Sequence, residues 1–186
     1  DVQALQDRLA EKLGGDADIE PLWVIVIASY VPLHALPMAD AIAGRSWPVV
    51  LRPLIAQQIA APREELEIRK TLQVLTPIDG GVSQLVQQQY EESPFPAWTT
   101  VSPVDPVTLD RYLSEKAPRA DLSQFANRQM KNVLIAGCGT GRHAINVARA
   151  FPEAQVLAVD ISRASLGYAI RKTREMGARN IDYAHA

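Results

Sequence analysis

Three glycines at alternate positions are the residues best placed to do chemistry in this chain. Gly137, Gly139 and Gly141 directly follow the apolar run 133–136, and Asp160 follows a second apolar run. Glycine adopts the backbone angles of a tight turn at low cost, and its missing Cβ lets a ligand approach the main chain. Free N–H groups at the start of a following helix can then bind an anion. The pattern predicts a βαβ unit whose glycine-rich turn holds a nucleotide-like ligand.

The segments around this turn predict a doubly wound α/β domain. The run 133–136 is short and fully apolar, as is typical of a parallel strand covered on both faces. Ser162 is expected to cap a second crossover helix, which Gly177 ends. The other predicted elements are a helix over 141–151 and strands over 156–159 and 181–183. Such a domain normally has at least about five strands, so we expect either a fragment or strands supplied by another polypeptide.

The glycine spacing discriminates between classes of nucleotide. The pattern here is G-x-G-x-G, whereas the dinucleotide fingerprint G-x-G-x-x-G requires glycine where Arg142 stands. A large charged side chain at that position would obstruct close helix packing beside a pyrophosphate. The spacing therefore disfavours a dinucleotide-dependent oxidoreductase, which is kept as the weakest alternative.

The runs 133–141 and 158–162 resemble motif I and the next acidic strand end of class I S-adenosylmethionine-dependent methyltransferases. The runs 90–98 and 159–166 are similar to a bacterial subgroup of methyltransferases often joined to tetratricopeptide repeats. The resemblance covers about 84–98 and 131–186. It implies an N-terminal helical region followed by the first half of a Rossmann-like doubly wound methyltransferase domain, truncated after the start of its third strand.

The resemblance also implies a set of cofactor-binding residues for S-adenosylmethionine. The three glycines would line the methionine part, two neighbours would offer backbone groups, an acid would accept hydrogen bonds from both ribose hydroxyls, and an apolar residue would pack on the adenine. In chain order these residues are Gly137, Cys138, Gly139, Thr140, Gly141, Asp160 and Ile161. The alternatives are that Asp160 only caps the next helix, that the turn is structural, or that it binds another nucleotide.

The sequence departs from the family at one site position. Many members carry an acid near the cofactor's amino group, two residues before the first glycine, where this chain has Ile135. The ammonium must therefore find another partner. No catalytic residue or methyl acceptor is identifiable, and no metal-ligand spacing is present. His143 is interpreted as a packing or capping residue, with ligand contact as the alternative, and Cys138 as a small turn residue.

The first 120 residues predict a helical region, and residues 121–186 the partial cofactor-binding domain. Residues 93–104 form a linker arm, whose Trp98 together with Tyr90 and Phe95 would either cover the cofactor or dock the arm. The predicted helices cover 1–13, 22–31, 48–60 with a kink or a late start at Pro53, 62–75 opened by Pro62, 82–90, 105–116 opened by Asp105 and Pro106, and 122–130. The β-branched content of 22–31 would also allow a strand.

Composition bounds the location and the partners. The formal charge of -2 gives no electrostatic footprint for nucleic acid. The most apolar run is about ten residues long, half of what a membrane span needs. The single cysteine suits a reducing cytosol, so we expect a cytoplasmic protein without a membrane partner. The exposed edge of a half sheet predicts a homo-oligomer.

The expected function is transfer of a methyl group from S-adenosylmethionine to an unidentified acceptor, with this chain holding the cofactor. The alternative is a binding or interaction module without catalytic activity, which Ile135 would allow.

Overall fold

The computed structural model describes residues 1–15, 18–77, 91, 97–123 and 131–186. These divide into two compact units, an N-terminal unit of residues 1–64 and a C-terminal unit of residues 65–186. The helices and strands in chain order are α1 Val2–Leu13, α2 Pro21–Ala28, α3 Ala39–Gly44, α4 Arg52–Ile55, α5 Ala61–Lys70, β1 Gln73–Val74, α6 Leu109–Lys116, β2 Lys131–Ala136, α7 Arg142–Ala150, β3 Ala154–Asp160, α8 Arg163–Met176 and β4 Ile181–His185.

The N-terminal unit is helical, as predicted, and has its own apolar core. The predicted helices over 1–13 and 22–31 are confirmed by α1 and α2. The most apolar helix, α2, has only eight residues, and no helix within the described ranges is both long and apolar enough to cross a membrane. The core consists of apolar side chains that are at most 1% exposed, including Leu9, Val24, Ile27, Leu33, Ile42, Leu51 and Ile59.

The prediction that Pro62 opens a helix is wrong. The helical stretch is continuous from Arg52 to Lys70, and a π-helical segment, Ala56–Ala60, immediately precedes α5. Proline lacks an N–H group and its ring clashes with the carbonyl four residues earlier. A wider π turn, in which the N–H of Ala61 bonds to the carbonyl of Ala56, loosens the backbone just where the proline enters.

The same predicted helix ends earlier than expected, at Lys70, and β1 follows at Gln73–Val74. Leu75, expected on the buried stripe, is 45% exposed, and its N–H donates to the carbonyl of His185 at 2.8 Å. The pairing of this short segment with β4 outweighs its helical periodicity.

The C-terminal unit contains a four-stranded parallel sheet in the order β1-β4-β3-β2. This arrangement, with α7 and α8 as crossover helices, confirms the predicted α/β, Rossmann-like class. In the register of the sheet Val133 lies beside Val156, and Val156 beside Ile181. The three strands predicted from sequence are present, and β1 is an addition.

The helices α7 and α8 pack on one face of this sheet. Their buried side chains meet alternate residues of β3, because successive strand residues point to opposite faces. On the other face Leu134 and Leu157, which are neighbours in the register, are 66% and 37% exposed. The core on the covered face includes Ala144, Ala148, Val156, Ala158, Leu166 and Ile181.

The division after Glu64 does not coincide with the domain boundary predicted near residue 120. Two contacts tie the residues after Glu64 to the C-terminal unit. The strand β1 pairs with β4, and the carboxylate of Glu65 lies 2.8 Å from the guanidinium of Arg171 on α8.

The helix predicted from Asp105 begins later, because α6 starts at Leu109 with Thr108 as its N-cap. The N–H of Val107 donates to the carbonyl of Ala150 at 2.9 Å, and Thr108 has extended backbone angles. The helix predicted over 82–90 and most of the one over 122–130 lie outside the described residues.

Candidate cofactor site

The glycine turn connects β2 to α7, and each of its three glycines adopts left-handed backbone angles. The φ angles of Gly137, Gly139 and Gly141 are 68°, 52° and 80°, and no described non-glycine residue has a positive φ. The N–H of Cys138 donates to the carbonyl of Val159 at 3.0 Å. The turn is thereby held against the end of β3, where the predicted acid stands.

The three glycines have different structural roles. A Cβ built on Gly137 or Gly139 would have no neighbour within 4 Å, so the space beside these residues is open. A Cβ on Gly141 would lie 2.6 Å from the Cβ of Ala169 on α8. Gly141 therefore permits close packing of α7 against α8, and the first two glycines leave room for a ligand.

Asp160 fastens the two loops of the site together. Its Oδ2 accepts a hydrogen bond from the N–H of Gly139 at 2.7 Å, and its Oδ1 accepts one from the N–H of Ser162 at 2.9 Å. The second bond is the local capping contact expected of a strand-end aspartate. The first places the half-buried carboxylate beside the glycine turn. Each carboxylate oxygen can accept a further hydrogen bond, so these contacts leave capacity for a ligand.

A cavity of about 620 Å³ opens between these loops. Six of the seven predicted residues line it, and Gly141 does not because it is used in helix packing. Four lining residues were not predicted: Arg142, His143, Asn146 and Ser165. The first three lie on the first turns of α7, at a spacing that a helix brings to one side. His143, interpreted from the sequence as a packing or capping residue with ligand contact as the alternative, is exposed and lines the cavity.

Two uncharged residues, Ile135 and Asn146, stand at the position of the missing acid and in the cavity wall, respectively. Ile135 is half-buried and packs against the apolar core of the C-terminal unit, so it gives the site no charge. The Oδ1 atom of Asn146 is buried and has no hydrogen-bond partner among the described residues. Asn146 therefore adds a neutral amide group to the cavity wall.

Cys138 is buried in the turn, and burial raises the pKa of its thiol to about 12, with the nearby Asp160 carboxylate adding to the effect. The thiol is therefore uncharged at neutral pH and poorly suited to nucleophilic attack. Across the described ranges, no group of three or more His, Cys, Asp or Glu side chains could hold a metal ion.

Trp98 docks the linker arm onto the C-terminal unit. Its indole Nε1–H donates to the carbonyl of Thr140 at 3.1 Å, and its backbone N–H donates to the hydroxyl of Tyr168 at 3.0 Å. The two rings meet edge to face with centroids 6.0 Å apart. These contacts support the docking interpretation at Trp98, whereas Tyr90 and Phe95 lie outside the described residues.

Residues 133–186 match a family model described as a methyltransferase domain. A curated tRNA (guanine-N(7)-)-methyltransferase of Rubrobacter xylanophilus is 34% identical over 94 residues, which cover 45% of this chain and 42% of that protein. The chain thus spans about two fifths of the length of this relative. The family match confirms the predicted methyltransferase character of the segment, and the association with tetratricopeptide repeats stays a prediction.

Two solved structures are similar in part. A coclaurine N-methyltransferase bound to N-methylheliamine and SAH is 20% identical, with coverage of 88% of this chain and 50% of that chain and a TM-score of 0.36. A SAM-dependent methyltransferase from Anabaena variabilis is 22% identical, with coverage of 62% and 43% and a TM-score of 0.34.

Proposed function

We propose that this chain supplies the cofactor-binding part of an S-adenosylmethionine-dependent methyltransferase. The observation that carries the proposal is the bond between Asp160 and Gly139, which joins the acidic strand end to the glycine turn beside a cavity. A family model for methyltransferase domains matches this same segment.

The cofactor would extend along the two loops of the cavity. Gly137, Gly139 and the backbone at Cys138 would face its methionine part. Asp160 would accept hydrogen bonds from the ribose hydroxyls, a charge-assisted contact stronger than one between neutral groups. Ile161 would pack on the adenine. Gly141 belongs to the same turn but would act through helix packing.

The bound cofactor supplies a methyl group already activated by the sulfonium. It would supply this group to a nucleophile by in-line displacement, with S-adenosylhomocysteine as the leaving group that keeps the electron pair. The main task of the protein is then to hold donor and acceptor in line. The relative from Rubrobacter xylanophilus is named for tRNA, but the net charge of -2 does not favour the same acceptor for this chain.

The first experiment is calorimetric titration of the chain with S-adenosylhomocysteine. We expect binding, and Asp160→Ala should weaken it by about a hundredfold or more, because charged hydrogen bonds are worth about 1.5–3 kcal/mol each. The matched control is Asp182→Ala, which removes an exposed carboxylate that accepts a hydrogen bond from the side-chain amide of Gln155 at 2.8 Å. A folded chain that does not bind, or an Asp160→Ala variant that binds like the unmodified chain, would contradict the proposal.

A binding module without catalytic activity is the second candidate, and Ile135 favours it. An apolar residue at this position leaves the ammonium of the cofactor without the carboxylate that many methyltransferases place there. Conversion of S-adenosylmethionine to S-adenosylhomocysteine in the presence of a cell extract, above the rate for Asp160→Ala, would support the enzyme. Tight binding without conversion would support the module.

A further inference from the structure

We propose that Glu91 and Trp98 are positioning residues that hold the two loops of the cofactor site, and that each acts on a different part of the cofactor. The inference rests on the proposed function. The two residues lie seven positions apart in the chain, and both contact the C-terminal unit at main-chain groups beside the cavity.

Trp98 acts on the glycine turn. The carbonyl of Thr140 accepts the indole hydrogen bond at 3.1 Å. Trp98 and Thr140 are both buried, at 7% and 2% exposure. A buried carbonyl that loses its donor costs about 1–3 kcal/mol. The indole therefore favours one conformation of the turn, in which Cys138 and Gly139 face the cavity.

Trp98 is itself held by two side chains of the helix α8. The Tyr168 hydroxyl accepts from the backbone N–H of Trp98 and donates to its carbonyl. The ammonium of Lys172 lies 5.1 Å from the centre of the indole ring and donates to the carbonyl of Thr99 at 2.9 Å. Trp98 is therefore held in place on both its backbone and its ring, as required of a residue that positions another.

Glu91 acts on the second loop. Its carboxylate accepts hydrogen bonds from the backbone N–H groups of Arg163 and Ala164, the latter at 3.2 Å. These are the first two residues of α8, and the N–H of the third, Ser165, donates to the hydroxyl of Ser162 at 3.0 Å. An acid at this end of a helix also interacts favourably with the helix dipole.

The helix α8 begins two residues after Ile161, directly after the short loop that follows Asp160 at the end of β3. Glu91 therefore stabilises the position of the residues proposed for adenine and ribose, whereas Trp98 stabilises the turn proposed for the methionine part. Loss of either contact should weaken the binding of the part of the cofactor that lies on the corresponding loop.

The test compares two ligands that differ in the methionine part. S-adenosylhomocysteine carries the whole amino-acid portion, and 5′-methylthioadenosine lacks it. The variant Trp98→Phe removes the indole donor and keeps an aromatic ring. We expect it to lower the affinity for S-adenosylhomocysteine about tenfold and the affinity for methylthioadenosine less than about twofold. We expect Glu91→Gln, which removes the charge, to lower the affinity for both ligands equally, by about fivefold.

Matched variants separate positioning from general stability. Trp23→Phe makes the same change in the N-terminal unit, and Glu115→Gln removes a carboxylate that pairs with Arg111 on the exposed surface of α6. Neither should change the affinity of either ligand. Tyr168→Phe removes the hydroxyl that holds the Trp98 backbone and should act like Trp98→Phe, more weakly.

The ratio of the two affinities decides the outcome. If Trp98→Phe lowers the affinity for both ligands equally, or for neither, the proposal that the two residues act on different parts of the cofactor is wrong. An equal effect of Glu91→Gln and Glu115→Gln would also overturn it. Failure of the unmodified chain to bind S-adenosylhomocysteine would instead contradict the proposed function.

Discussion

At the scale of single residues, Asp160 shows how one side chain can have two roles. A strand-end aspartate that caps the next segment and one that binds a ligand are usually alternatives. Here each carboxylate oxygen bonds to a different loop, at Gly139 and at Ser162. The capping contacts fix the carboxylate in one orientation, so that no ordering cost remains when a ligand arrives.

Cys138 gives a prediction about pH. Its folded-state pKa is raised from 9.0 to about 12 by burial and by Asp160. The folded protein therefore keeps the thiol proton when the unfolded chain loses it, and this contribution to stability is lost as pH rises above about 9. Between pH 8 and pH 10 the unmodified protein should lose about 1 kcal/mol more unfolding free energy than Cys138→Ala.

Urea unfolding of both proteins at the two pH values measures this difference. Burial also raises the pKa of Tyr183, and Cys138 adds to that effect. Because burial of Tyr183 is common to both proteins, the comparison reports the thiol together with its smaller effect on Tyr183. Identical losses for the two proteins would mean that the thiol ionises freely in the folded state. Rapid alkylation of the folded protein at pH 8 would point the same way.

The site residues that the sequence predicts are those with a distinctive type and spacing. Alternate glycines and a strand-end acid are readable because few other structures need them. His143 and Asn146 face the cavity only because α7 starts at Arg142 and turns them toward it. No residue type marks such positions in advance, because the direction of the helix is set by its packing on the sheet.

At the scale of elements, the contact between α7 and α8 depends on a missing methyl group. Gly141 combines a φ of 80° with a position where a Cβ would lie 2.6 Å from Ala169. Gly177 has a similar φ of 70° but no atom within 4 Å of its built Cβ. The two glycines therefore separate the cost of backbone angle from the cost of packing.

We expect Gly177→Ala to destabilise the protein by about 1 kcal/mol, the cost of a left-handed residue with a Cβ. Gly141→Ala should cost about 2–4 kcal/mol, because overpacking adds to the same backbone cost. The double variant Gly141→Ala/Ala169→Gly should recover part of that difference. Thermal and urea unfolding test these values, and equal effects of the two single alanine variants would refute the packing role of Gly141.

The elements that the sequence predicts wrongly were decided by contacts outside the local pattern. Helical periodicity extends to Leu75, yet β4 draws Gln73 and Val74 into the sheet. Asp105 and Pro106 have the residue types of a helix start, yet the N–H of Val107 bonds to the carbonyl of Ala150 and the helix begins only at Leu109. The strands β2 and β3 and the helix α8 were predicted well, because local composition and tertiary packing agree there.

At the scale of the whole molecule, the chain has two compact units with separate apolar cores. We expect a destabilising substitution in the core of one unit to affect that unit alone. We expect Ile42→Ala, in the N-terminal unit, to lower stability by about 2–5 kcal/mol, with faster hydrogen exchange confined to residues 1–64. Leu166→Ala, in the C-terminal unit, should accelerate exchange in β3 and α8.

Hydrogen exchange followed by mass spectrometry locates each effect, and S-adenosylhomocysteine adds a second comparison. The ligand should slow exchange in β3 and α8 of Ile42→Ala as much as in the unmodified protein. Faster exchange across both units in Ile42→Ala would show that the two cores unfold together.

The position of β1 in the sheet has a consequence for synthesis. Its partner β4 lies more than one hundred residues later in the chain, which a ribosome adds over roughly 5–20 s. During that interval the segment from Gln73 to Leu75 is in the cell with its backbone donors and acceptors unpaired. A nascent chain in this state offers a template for pairing with other chains. Slowed translation before residue 181 should therefore prolong the period in which the protein is prone to aggregate.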